Sequence, residues 1–181
     1  MSKPLIAILG LSGAGKSTLS HKLERKYGYT SIRSYTTRKP RENDETDLIT
    51  HTFITPEEVE QYRDSIIASN YINDTFYFVT QNQLDCGDIY VVEENGLRDI
   101  RNHYHNKKII SIYLDVDLSI TAHRLANRGD GDEAILKRMQ YESEAFKNTK
   151  ACCDFVCDNS TQDNCNRICE FINMLMEYNN D

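Results

Sequence analysis

No stretch of this 181-residue chain approaches the roughly 20 consecutive apolar residues that a membrane-spanning helix needs. Positive charge is also short, with 21 Lys and Arg against 28 Asp and Glu and a formal charge of −7. A general nucleic-acid binder draws its affinity from a broad basic face, so that class is not expected. The opening run "MSKPLIAILGLSGAGKST" has no small-residue cleavage site, and no signal peptide is expected. The six cysteines (86, 152, 153, 157, 165 and 169) contain no C-x-x-C pair, which argues against a zinc framework. Cys165 and Cys169 lie four apart on a stripe that Ile172 and Met176 continue, and "CCDFVCD" reads as a buried strand. Cysteine is therefore expected as a small apolar core residue, in a reducing compartment. Together these absences predict a cytoplasmic protein with neither a membrane nor a nucleic acid as partner.

What is present alternates. "PLIAILG" (4–10) is an apolar run ending in glycine, a buried strand. "KSTLSHKLERKYG" places Leu19 and Leu23 at helical spacing and stops at Gly28. "YTSIRSYTT" alternates like a strand, and residues 40–52 read as charged loop. "TPEEVEQYRD" opens a helix with Thr55 as cap, Pro56 first and Glu58 completing the box. Residues 66–80 read as strands around a turn at Asn73–Asp74, and "QNQLDCG" as a short helix. "DIYVVEENG", "KKIISIYLDVD" and "ACCDFVCDN" are further strands. Helical patterns follow each of them, and one more, long and charged, starts near residue 132. Strand–helix alternation without repeats or linkers predicts one α/β domain on a parallel sheet.

"GLSGAGKS", Gly10 to Ser17, satisfies G-x-x-x-x-G-K-[ST] between a strand and a helix. Glycines there let backbone N–H groups turn toward phosphate, and the helix N-terminus adds partial positive charge. The motif assigns Gly10, Ser12, Gly13, Ala14, Gly15, Lys16, Ser17 and Thr18 to a nucleoside triphosphate, with Lys16 on the β- and γ-phosphates and Ser17 on Mg2+. A phosphate loop alone does not separate kinases from GTPases, motor-type ATPases or silent binders. The guanine-reading N-K-x-D of a GTPase is absent.

"SYTTRKPR" (34–41) puts hydroxyls and three basic side chains into an acidic chain. With it the sequence resembles the guanylate kinase family, whose monophosphate-binding segment reads S-x-T-T-R-x-P-R. In order along the chain, "HTFITPEEVEQY", "NDTFYFVT", "VVEENG", "HRLANRGDGDEAILKRM" and "DFVCDN" are similar to further family segments. The resemblance implies ATP as donor, Mg2+ as cofactor, and a phosphate-loop kinase fold with helices on both sheet faces. It implies a core of 1–33, 81–128 and 139–181, an inserted acceptor-binding subdomain at 34–80, and a lid at 129–138. Arg38 and Arg41 would grip the acceptor phosphate, as guanidinium forks match phosphate oxygens. Tyr77 would share that grip, and Ser34 would face the base. Arg124, Arg128 and Arg138 flank the lid, with Arg124 on the donor nucleotide and the other two stabilising charge on the transferring phosphoryl. Glu93 stands where the family has an aspartate near metal and acceptor, ahead of Asp115.

Departures cluster in the base pocket. The family's guanine-pairing glutamate falls at Ala68 or Ser69, its Y-x-F tyrosine is His51, and the glycine after Tyr77 is Phe78. Phosphoryl transfer to GMP or dGMP is the family's default. Another nucleotide, ribose 1,5-bisphosphate, or a non-catalytic binding module of the same fold stand as alternatives.

Overall fold

The computed structural model describes residues 3–40, 50–72 and 74–178, the side chains of 143–145 excepted. Its centre is a parallel sheet built from β1 (Leu5–Leu9), β2 (Ser31–Ile32), β7 (Ile89–Val91), β8 (Ile109–Asp115) and β9 (Phe155–Asp158), in the order β2-β7-β1-β8-β9. β1 lies between β7 and β8, with Ile6 opposite Ile89 on one side and Ile110 on the other.

All five β1 residues are buried, as a strand covered on both faces requires. Side chains alternate across a strand, so Ile6 and Ile8 enter one apolar cluster and Leu5, Ala7 and Leu9 the other. The first cluster is closed by Leu19 and Leu23 of α1 (Lys16–Tyr27) and by Cys165, Ile168, Cys169, Ile172 and Met176 of the terminal helix α7 (Gln162–Tyr178). The second is closed by Leu84 of α2 (Gln81–Cys86) and by Leu97 and Ile100 of α3 (Glu94–His103). Full burial of one such leucine is worth about 1.5–3 kcal/mol.

A second, four-stranded sheet has the order β4-β3-β6-β5, from β3 (Ser34–Thr36), β4 (His51–Phe53), β5 (Ile66–Ile72) and β6 (Thr75–Thr80). Ala68 of β5 and Val79 of β6 belong to the second apolar cluster, beside Leu97 and Leu9. That shared core roots the small sheet against the large one. Its own filling is aromatic: Phe78, 1% exposed, stacks on Tyr35 at 5.0 Å and meets Tyr62 and Phe76 at 5.7 and 5.3 Å.

Beyond the sheets lie α4 (Leu118–Asn127), α5 (Asp132–Ala145) and the single turn α6 (Thr149–Cys152). Asp117 caps α4 by accepting the Ser119 N–H at 2.8 Å.

Five expectations are corrected. His51 and Thr52, read as the end of a charged loop, form β4 with Phe53 by pairing with β3. "YTSIRSYTT" is two short strands in different sheets, split at Arg33, whose carbonyl accepts the Gln83 side-chain amide at 2.7 Å. The capping box at Thr55 and Glu58 forms, but Pro56–Ser65 winds as a 3₁₀ helix with no buried residue. β9 is an exposed edge strand, with Phe155 and Val156 38% and 49% accessible, because no described strand pairs with its outer side. Cys165 and Cys169 are buried as expected, whereas Cys86 and Cys152 are exposed. The turn expected at Asn73–Asp74 retains Asp74 at φ 59, while Asn73 lies outside the described residues.

Candidate active site

The phosphate loop leaves β1 and ends in α1. Gly10, Gly13 and Gly15 have φ of 145°, 78° and 91°, backbone conformations that side-chain-bearing residues rarely adopt. Space forbids a side chain as well. A Cβ would stand 2.8 Å from the Leu114 carbonyl at Gly10, 2.8 Å from the Thr121 carbonyl at Gly13, and 2.7 Å from Asn159 Nδ2 at Gly15.

The loop is braced from behind. Asn159, 3% exposed, donates Nδ2 to the Ala14 carbonyl at 2.7 Å. Arg124 donates to the carbonyls of Gly13 (3.2 Å), Asn159 (2.9 Å) and Ser160 (3.0 Å). Asn159 Oδ1 is the buried side-chain atom left without a hydrogen-bond partner among the described residues. An orphaned acceptor of this kind is costly unless something donates to it.

Lys16 turns back over the loop, its Nζ donating to the Gly10 carbonyl at 2.7 Å and the Leu11 carbonyl at 3.0 Å. Desolvation lowers its pKa from the ordinary lysine value. Glu142 and Glu93 raise it again, while Arg128 and Arg138 add to the lowering. Five charged groups from four parts of the chain therefore act on one another here. Arg128 donates to Asp130 at 2.6 Å and Arg138 to the same oxygen at 3.3 Å, so one carboxylate gathers both arginines. Ser17 and Thr18, in the first turn of α1, keep their side chains exposed.

Glu93 occupies the N-cap position of α3, just past β7, with its side chain not bonded to the helix N–H groups. It keeps solvent access, yet crowding by the protein raises its carboxyl above the ordinary value. Lys16 opposes that rise and Glu142 adds to it. Asn70 of β5 donates to Glu93 at 3.4 Å, which joins the small sheet to the phosphate-loop end of the large one. Glu94 turns elsewhere and accepts the hydroxyl of buried Thr149. Asp115, at the end of β8, pairs with Lys150 at 2.6 Å.

On the small sheet, Arg38 donates Nε to the Tyr77 hydroxyl at 3.1 Å and lies over the Phe53 ring at 5.2 Å. Sheet register puts Ser34 opposite His51, Thr36 opposite Tyr77, and Asn70 opposite Tyr77 on its other side. His51 meets the Tyr77 ring edge-on at 5.8 Å. Ser34, Arg38, His51 and Tyr77 thus share one patch. Arg41 lies outside the described residues.

The phosphate loop and the cationic patch stand on separate sheets linked through Asn70 and Glu93. The guanylate kinases of three Helicobacter pylori strains are each 33% identical over 146 residues, covering 75% of this chain and 69% of theirs. The chain belongs to the guanylate kinase family. Another relative, the guanylate kinase of Thermosynechococcus vestitus, is 32% identical over 154 residues, 77% of this chain and 78% of its own. A family model described as an AAA domain matches residues 6–147, a span that includes the phosphate loop and the lid. The crystal structure of guanylate kinase from Anaplasma phagocytophilum superposes with a TM-score of 0.68 over 97% of this chain and 87% of that one, at 20% identity.

Membership makes this guanylate-kinase-family protein a phosphotransferase of the nucleoside monophosphate kinase class. No helix among the described residues is long and apolar enough to cross a membrane. Four residues of the site had no role assigned from the sequence: Asn70, Asp130, Glu142 and Asn159. Asp130 and Asn159 lie within "HRLANRGDGDEAILKRM" and "DFVCDN", whereas Asn70 and Glu142 carried no sequence signal.

Proposed function

We propose that the chain moves the terminal phosphoryl group of Mg-ATP onto the phosphate of a nucleoside monophosphate, GMP and dGMP being the first candidates. The observation that supports this is the Asn70–Glu93 bond, which ties together the two regions read as phosphate grips. One is the amide loop under Lys16, the other the Arg38–Tyr77 pair, and Asn70 bonds one side to the other at 3.4 Å. A phosphoryl transfer needs chiefly positioning and charge stabilisation. An oxygen of the acceptor phosphate bonds the γ-phosphorus as the bond to the bridging oxygen breaks, and ADP leaves. The acceptor phosphate is already anionic near neutral pH, so no general base is required, and no histidine–carboxylate dyad is needed in the cleft.

The residues suit the donor. Three glycines give the loop a backbone path that any Cβ would block by colliding with Leu114, Thr121 or Asn159, and that path leaves its N–H groups for phosphate. They also suit Mg2+, a hard cation held by one or two protein oxygens together with substrate phosphates. No cluster of three or more His, Cys, Asp or Glu forms a protein-only cage among the described residues. The Ser17 hydroxyl and Glu93 are the groups that would hold the ion, which when bound neutralises charge developing between the phosphates. Lys16, Arg128 and Arg138 carry the remaining positive charge on this side. In this reading Arg124 serves the donor by bracing the loop, while Ser34, Arg38, Arg41, His51 and Tyr77 take the acceptor.

One observation favours a wider acceptor range. Ala68 or Ser69 stands where the family carries its guanine-pairing glutamate, and the next polar side chain along that strand is the neutral amide of Asn70. An amide both donates and accepts, so it does not select guanine's donor pair. Losing a charged partner to buried donors costs about 2–4 kcal/mol of discrimination. The test is ADP release from Mg-ATP across nucleoside and deoxynucleoside monophosphates and ribose 1,5-bisphosphate. Turnover with at least one nucleoside monophosphate is expected, with guanine preferred by less than about 10³-fold. Turnover with ribose 1,5-bisphosphate alone, or with nothing on the panel, would overturn the proposal.

A further inference from the structure

Glu142 belongs to no motif, yet it touches the phosphate loop twice. Its Oε2 accepts the Ser12 backbone N–H at 2.7 Å and its Oε1 accepts the Ser12 hydroxyl at 2.5 Å. The two residues are 130 positions apart, one in the loop after β1 and the other in α5. Loop N–H groups of this kind are the donors a nucleotide phosphate takes, and two carboxylate oxygens held by an N–H and an O–H satisfy them in the same chemical way.

Helical spacing adds to this. Positions four apart share a helix face, so a Glu142 held at Ser12 carries Arg138 to the same cleft, where it acts on Lys16. Lys16 itself donates only to neutral carbonyls at 2.7 and 3.0 Å. The nearby anions that offset its charge are Glu142 and Glu93.

We propose that Glu142 is an intramolecular substitute for a donor phosphate: it holds α5 and Arg138 against the loop and gives up the Ser12 donors when nucleotide enters. The proposal depends on the loop being a donor-phosphate cradle and is indifferent to the acceptor. A tethered anion competes at high effective concentration, so the wild-type protein binds donor more weakly than its own cradle allows. Arriving phosphate and departing carboxylate repel, and this couples donor entry to movement of α5. Glu142 acts here as a positioning residue, since it shapes the cradle without touching reacting atoms.

The test is calorimetric titration of Mg-ATP into wild type, Glu142→Ala and the near-isosteric Glu142→Gln, with NMR amide exchange at Ser12 in the protein alone. Expected are binding about tenfold tighter in Glu142→Ala with loss of Ser12 amide protection, recovered on adding Mg-ATP, and an intermediate gain in Glu142→Gln, whose amide oxygen still accepts the Ser12 N–H and keeps part of that protection. Unchanged or weaker binding in folded variants would overturn the proposal, as would unchanged Ser12 protection. Should Glu142→Ala fail to fold, Glu142→Gln decides alone. A wild type that does not bind Mg-ATP at all would instead remove the donor reading of the loop, an outcome distinct from variants that bind but gain nothing.

Discussion

At Gly10, Gly13 and Gly15 an added Cβ would lie within 2.8 Å of another atom. Across the cleft, the small sheet has the bulky Phe78 in place of a family glycine and buries it to 1% exposure among Tyr35, Tyr62 and Phe76. The donor end is made of backbone, so its sequence has almost no freedom. The acceptor end is made of side chains on a short twisted sheet with its own aromatic filling, so a change at one position is absorbed by repacking at the next. This difference accounts for a phosphate loop that follows its pattern residue by residue beside a small sheet that departs from the family resemblance at His51, at Ala68 or Ser69, and at Phe78.

The largest expected effect lies at the donor end. Lys16→Ala should lower turnover by at least about 10²-fold with every acceptor, because it removes a desolvated positive charge from the proposed donor cradle. Steady-state rates with saturating acceptor check it, and an unchanged rate would break the comparison at its strict end. Arg38→Ala should come next, raising acceptor KM roughly ten- to a hundredfold through loss of charge-assisted hydrogen bonds, with the KM for ATP unchanged. Tyr77→Phe removes one neutral partner of the same grip and should raise acceptor KM only about three- to tenfold. A defect in ATP affinity from either acceptor variant would show that the two ends are not separate.

Much of the large sheet could be read from one dimension. Runs such as Leu5–Leu9 and Ile109–Asp115 are apolar because both faces are covered, and caps at Gly28 and Thr55 mark element ends by local chemistry. The loop motif is equally local, since its glycines answer to steric limits of their own backbone. What escaped is nonlocal. The division of residues 31–36 between two sheets depends on Gln83 holding the Arg33 carbonyl from 50 positions away. The exposure of β9 depends on which strands pair beside it, and no periodicity within four residues records that. Glu142 sits four residues after Arg138, a spacing that ordinarily marks a surface ion pair; its contact with Ser12 exists only after α5 folds back across the loop. Asn70 reads as an ordinary strand polar residue until Glu93 is brought to it.

The central claim is that the two grips face one another closely enough for direct transfer. It is tested most directly by the affinity of one molecule that carries adenosine and guanosine at opposite ends of a five-phosphate bridge, measured by calorimetry against ATP alone. Two facing grips predict binding at least about 10²-fold tighter than ATP, an advantage that disappears in both Lys16→Ala and Arg38→Ala. Binding no tighter than ATP, and indifferent to Arg38, would contradict the account.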